Sequence, residues 1–207
     1  DLTDDNHPAN FVMTMCVSMN DAGMIVLPTH RLFRGMPPID SETLRAKLGE
    51  NFQSRIAGEG IDLANMLWTQ IEMDDEQGQL AFYCRKDQRW VIATVNDVGR
   101  ARLAEVASDR SDEWRSLGVS LLHRLVVETL LEQTDLPKPK YVHLVDELVD
   151  ALNGDEGDAS EFELSALVMP ATLEHIRAVS LHQERMPAKS TYFYPKLLSG
   201  LVINPLT

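Results

Sequence analysis

Two stretches of this acidic chain contain no acid at all. Between Met24 and Ile39 there is no Asp or Glu, while His30, Arg31 and Arg34 supply positive charge. From Arg185 to Thr207 acids are again missing, and Arg185, Lys189 and Lys196 do the same. Against a net charge of -13, two such stretches brought together in space would make a local site for phosphate or carboxylate. The tail adds chemistry of its own. Alternation along a strand puts Ser190, Tyr192, Tyr194 and Lys196 on one face, so that hydroxyls and an ammonium line up, and turns Thr191 and Phe193 toward the core. Pro195 cannot donate a ladder hydrogen bond, so that strand ends there or lies at an edge. The candidate ligand residues are therefore Thr29, His30, Arg31, Lys189, Ser190, Tyr192, Tyr194 and Lys196. The competing reading is a packed tail whose tyrosines fill space and whose lysines solvate the rim.

Other chemistries lack the required patterns. The histidines His7, His30, His123, His143, His175 and His182 show no metal-ligand spacing, and no cysteine cluster accompanies them. His123 reads as a hydrogen-bonded histidine of the core or its boundary, with Val119, Val126 and Val127 nearby. Gly58-Glu59-Gly60 begins like a dinucleotide fingerprint, but Leu63 stands where the third glycine belongs, so the segment reads as a turn opening a helix. No serine, cysteine or threonine carries a nucleophile motif. The acidic groups Asp74–Glu76 and Asp155–Asp158 read as solvated turns. Cys16 and Cys84 both sit in strand-like apolar runs and read as two buried free thiols, which suits a reducing, cytoplasmic setting. Net negative charge argues against a broad nucleic-acid surface, and no run reaches the length of a membrane span.

The elements that must position these residues follow from composition and period. With 207 residues, 44% apolar and 25% charged, the chain suits one main core. Strands are expected at Asn10–Met19, Met24–Leu27, Phe52–Ala57, Leu80–Arg85, Trp90–Val95, Tyr141–Leu144, Leu164–Met169, Ser190–Tyr194 and Leu201–Ile203. Thr29-His30-Arg31 reads as a loop or a strand extension after Pro28. Helices are expected after Asp40, from Ile61, from Leu117 to Gln133, around Val145–Leu152, and after Thr172 as N-cap. The Leu117–Gln133 helix is apolar over so much of its surface that it belongs in the core. Without a regular strand–helix–strand rhythm, the class is α+β, with a mixed, largely antiparallel sheet and packed helices. Any internal sub-lobe boundary falls near Ala107–Asp112.

The tail Met186-Pro187-Ala188-Lys189-Ser190-Thr191-Tyr192-Phe193-Tyr194-Pro195-Lys196-Leu197, with Gly200–Leu206, closely resembles the C-terminal signature of an uncharacterised prokaryotic family, domain of unknown function 1015. Leu27-Pro28-Thr29-His30-Arg31 is similar to another segment of that family, and Val119–Leu131 to its Leu- and His-rich helix. Ala188 departs from the pattern, where the family often has a second proline. The resemblance implies that this is the C-terminal part of a protein about twice as long. The missing upstream half would carry a segment similar to one in ParB-like and sulfiredoxin-like proteins. By that analogy the full-length protein would use a nucleotide as a phosphotransferase acting on a small metabolite, and the present residues would supply site walls. The alternative is a non-catalytic ligand-binding or regulatory protein that holds a small anionic ligand. A DNA-partitioning role fits the charge poorly.

Overall fold

The computed structural model describes residues 7, 10–154, 157–196, 198, 200 and 203. The chain divides into two compact units, Val26–Tyr192 and the remainder at the two ends, Asp1–Ile25 with Phe193–Thr207. In the smaller unit the apolar run 11–19 is exposed and has no strand, although its composition favours one. A strand needs a ladder partner for its backbone groups, and among the described residues none pairs with this run. Cys16 is accordingly exposed rather than buried, whereas Cys84 is buried as expected; both are free thiols. Phe193 is also exposed, not turned into a core. The tail strand expected at 201–203 falls largely outside the described residues.

The larger unit is built on a six-stranded sheet. Its strands are β2 (His30–Arg34), β3 (Phe52–Glu59), β4 (Gln79–Cys84), β5 (Arg89–Val95), β6 (Lys140–Val142) and β7 (Phe162–Val168), and their order is β3-β5-β4-β7-β2-β6. Every pairing in it is antiparallel, so the fold is α+β with no parallel pair in this sheet. Two short strands, β1 (Ile25–Leu27) and β8 (Tyr192–Tyr194), form a separate two-stranded sheet. The Leu80–Arg85 and Trp90–Val95 hairpin is present as β4 and β5, in register from Gln79 opposite Thr94 to Cys84 opposite Arg89.

Both faces of this sheet are covered. Alternate residues such as Leu80, Phe82 and Cys84 pack on one side, and Ala81 and Tyr83 on the other, so each strand contributes to two cores. The first core receives α1 (Ser41–Leu48) and α3 (Asp97–Val106). It also takes α5 (Gly118–Ser120), which runs on into a π-helix over Leu121–Leu130. The second receives α2 (Ala64–Asp74) and α6 (Val145–Asn153). A small third cluster joins Leu117 to α7 (Leu173–Leu181) through Ala171 and Val179.

Local chemistry sets the helix starts. Asp40, Asn96, Ser111 and Thr172 each accept a hydrogen bond from the first turn of α1, α3, α4 (Asp112–Ser116) and α7 respectively. The helix at 118–130 begins where Gln77 accepts from the Gly118 amide at 3.1 Å and donates to the Pro170 carbonyl at 2.7 Å. A β-carbon at Gly118 would lie 2.9 Å from the Gln77 carbonyl oxygen, so only glycine lets the chain pass this close. Ala107–Asp112 links α3 to α4 inside the larger unit. Gly58 and Gly60, both at positive φ, end β3 and open the turn leading to α2.

Candidate functional site

Strand alternation separates the two neighbours His30 and Arg31. Leu32, on the same side of β2 as His30, packs in the core with Trp68, and Phe33, on the side of Arg31, packs in the core with Leu125. His30 is fully buried against Trp68, with ring centroids 4.6 Å apart and planes 75° apart. Its Nδ1 accepts from the Val168 amide at 3.3 Å, and Nε2 is buried without a partner. Burial, then the positive charge of Arg31 and the nearby His143, push its pKa from 6.5 down to about 3. His30 is therefore a neutral core residue, and adjacent positions on one strand cannot share a site with opposite-facing side chains.

Arg31 is also fully buried, yet among the described residues no carboxylate pairs with it. Its guanidinium donates to the carbonyl oxygens of Thr29 and Lys189, the latter at 2.9 Å, and lies 5.9 Å from the centre of the Tyr141 ring. Tyr141 is its cross-strand partner on β6. Nε is buried and unpartnered. Burial pulls the pKa down to about 10, so the group stays charged at neutral pH. A buried guanidinium held by two neutral carbonyls is costly, because neutral acceptors replace only part of its hydration.

The Arg31–Lys189 bond brings the first acid-free stretch against the second. Residues 187–190 form a tight turn in which the Ser190 hydroxyl donates to the Pro187 carbonyl at 2.7 Å. Lys189 takes a left-handed backbone at φ 55, and its side chain is exposed. Ser190 is buried, so its hydroxyl serves the turn. Tyr192 instead stacks on His143 with centroids 3.6 Å apart. The His143 Nδ1 donates to the Pro28 carbonyl at 2.9 Å, with the hydroxyl of buried Thr29 at 3.4 Å from the same atom. Tyr194 and Lys196 belong to the smaller unit, where both are exposed. Of the expected set, then, Arg31 and Lys189 bond directly, and Thr29 and Tyr192 meet through His143.

Beside the buried guanidinium opens a cleft of about 500 Å³. Its walls come from four parts of the chain: the segment after α3, the start of the π-helix, the connector leading into β6, and the tail turn. Tyr141 and Ala188 line it, and these adjoin Arg31 and Lys189. His123 also lines it, half-buried, with its ring edge-on to Phe33 at 5.8 Å. Its half-burial is that of a boundary residue, but among the described residues its nitrogens make no hydrogen bond, unlike the bonded histidine expected of the core or its boundary. Burial, and after it the Arg31 charge, lower its pKa from 6.5 to about 4.

Charge is unevenly spread along this cleft. Near Trp114, Arg110 pairs with Asp109 at 3.4 Å and lies 5.4 Å over the indole. Arg124 pairs with Glu128 at 2.7 Å and donates twice to the Val106 carbonyl. At the Tyr141 end the exposed Lys138 forms no ion pair among the described residues, and Arg31 lies behind the wall. The residues that sequence reasoning missed are Trp114, His123, Arg124, Lys138 and Tyr141. One signal for them was available in Pro137-Lys138-Pro139-Lys140, a basic connector whose prolines fix the direction in which it leaves the helix.

Among the described residues no cluster of three His, Cys, Asp or Glu is placed to hold a metal ion, and no helix is long and apolar enough to cross a membrane. Comparison with curated proteins and with solved structures gives no match. The profile of a family described as protein of unknown function, DUF1015, matches residues 1–120. That span includes β2 with Arg31 and the segment bearing Trp114, and it stops before the tail turn. Since the match covers more than half of the 207 residues, the chain belongs to the DUF1015 family.

Proposed function

We propose that the cleft beside Arg31 binds a small anionic molecule bearing a phosphate or carboxylate group. The observation that carries this reading is the buried charge of Arg31, which among the described residues pairs with no carboxylate and stands behind a cleft whose Lys138 likewise forms no ion pair there. An anion in the cleft would offset the cost of that buried charge. Three cationic and two acidic residues line the cleft, and Arg31 adds a further positive charge, in a chain whose net charge is -13. A local field of this sign concentrates anions.

Binding is a better-supported reading than phosphoryl transfer. The hydroxyl of Ser120, which lines the cleft, is committed to the Trp114 carbonyl at 2.6 Å, and His123 is held neutral with no hydrogen-bond partner to orient it among the described residues. A nucleotide-dependent phosphotransferase acting on a small metabolite would have to draw its catalytic groups from outside this cleft. Under that reading Arg31, Lys138 and the tail turn remain a phosphate-holding wall.

The test is calorimetric titration of the full chain with inorganic phosphate and with acetate at constant ionic strength. Wild type should bind at least one of them, and Lys138→Gln should weaken that binding about three- to tenfold without altering the fold, since an exposed side chain is being replaced. Absence of binding at millimolar concentration, or equal affinity in the variant, would refute the proposal.

A further inference from the structure

We infer that the ligand of this cleft is an amphipathic anion, with a charged head at the Tyr141 end and an aromatic or branched apolar body reaching toward Trp114. The inference rests on the anion-binding reading and adds the class of molecule. Among the described residues the cations of the cleft differ in pairing. Lys138 has no ion pair among the described residues and Arg31 lies behind Tyr141, whereas Arg110 and Arg124 are already paired with acids. His123 sits in the same cleft with both ring nitrogens free of hydrogen bonds among the described residues, and so can donate to an anionic head.

Apolar groups share the rest of the lining with the paired charges. Ala107, Trp114, Val119, Pro139, Pro187 and Ala188 supply side chains with no charge, and Ala107, Val119 and Trp114 are anchored in the core below. Inorganic phosphate would use the head end and leave this wall wet. A ligand that also covers the wall gains the transfer of apolar surface from water on both sides. The volume of about 500 Å³ lies within the range of small-molecule sites and exceeds what a bare oxyanion needs.

Tryptophan fluorescence gives a local readout, because Trp68 and Trp90 are buried in the core on the opposite face of the sheet while Trp114 lines the cleft. The full chain is titrated with phenyl phosphate, benzoate, inorganic phosphate and benzyl alcohol at constant ionic strength. One of the two aromatic anions should bind at least about tenfold tighter than inorganic phosphate and than benzyl alcohol, and should change the indole emission. Whether phenyl phosphate or benzoate binds tighter identifies the head as phosphate or carboxylate. Calorimetry at several temperatures should give a negative heat-capacity change for the aromatic anion, larger than for inorganic phosphate. This second measurement needs no variant. Inorganic phosphate binding as tightly as both aromatic anions overturns this inference and leaves the anion cleft standing. Benzyl alcohol binding equally well overturns it from the other side. If none of the anions binds, the cleft reading itself fails.

Discussion

Lowering the pH from 7.5 to 5 should destabilise this protein through two histidines that the fold keeps neutral. His30 and His123 have their pKa values pushed from 6.5 to about 3 and about 4, chiefly by burial. In the unfolded chain each takes up its proton near 6.5. Below that pH the unfolded state therefore binds more protons than the native one, and stability falls as pH falls, until each folded-state value is passed. Integrating between the two values gives a loss of about 2 kcal/mol at pH 5 for each histidine. The assay is urea denaturation of wild type and His30→Gln at pH 7.5, 6 and 5. Gln cannot titrate, so the variant should lose about 2 kcal/mol less than wild type over this interval, whatever its starting stability. Stopping at pH 5 limits the contribution of carboxylate titration. If both proteins lose the same stability, His30 does not enter the folded state neutral, and the argument from its burial against Trp68 is wrong.

Other expectations concern packing and the tail turn. Arg31→Met leaves the Thr29 and Lys189 carbonyls without their donor, so amide hydrogen exchange at Lys189 and Ser190 should quicken by at least about tenfold. Unchanged exchange would show that the turn holds itself. Leu122→Ala removes a fully buried side chain from the π-helix face and should cost about 2–5 kcal/mol in urea denaturation. Gly99→Ala places a β-carbon 2.3 Å from the Asn51 carbonyl oxygen and should lower the thermal midpoint, whereas a neutral result would mean that α3 can shift away. A thiol reagent at pH 8 should modify Cys16 alone in the native protein. Cys84 is buried and its thiol is pushed up to about 12, so it should react only on unfolding.

Much of the fold was legible because its signals are local. The β4–β5 hairpin, the caps at Asp40 and Thr172, and the apolar stripe after Leu117 each follow from residues within a few positions of one another. Two failures have different causes. The run 11–19 has strand-forming residues, but pairing depends on a partner elsewhere, which composition cannot supply. Helix α3 was missed because only Gly99 and Leu103 of its ten residues are buried, too few to show a period, though Asn96 marks its start. At the site, the two acid-free stretches contain Arg31 and Lys189, which the fold bonds to each other. Treating Thr29-His30-Arg31 partly as loop, however, hid the alternation that sends His30 away. The cleft itself joins segments separated by up to about 80 positions along the chain, a geometry set by tertiary packing and by no motif.

The strand order also constrains how this protein is made. β3, β4 and β5 are consecutive in sequence and adjacent in the sheet, so they can pair as soon as they leave the ribosome. β2 is synthesised before all three, yet its neighbours are β6 and β7, more than a hundred residues later. The nascent chain must carry His30-Arg31-Leu32-Phe33 unpaired while more than a hundred further residues are made, with an apolar edge open to wrong partners. Its last clasp, from Arg31 to Lys189, closes a span of 158 residues. Contacts of such long sequence separation carry a large loop-closure cost and favour slow docking of β2. A chain stalled before residue 140 would expose this strand to a chaperone, while β3, β5 and β4 could already be paired.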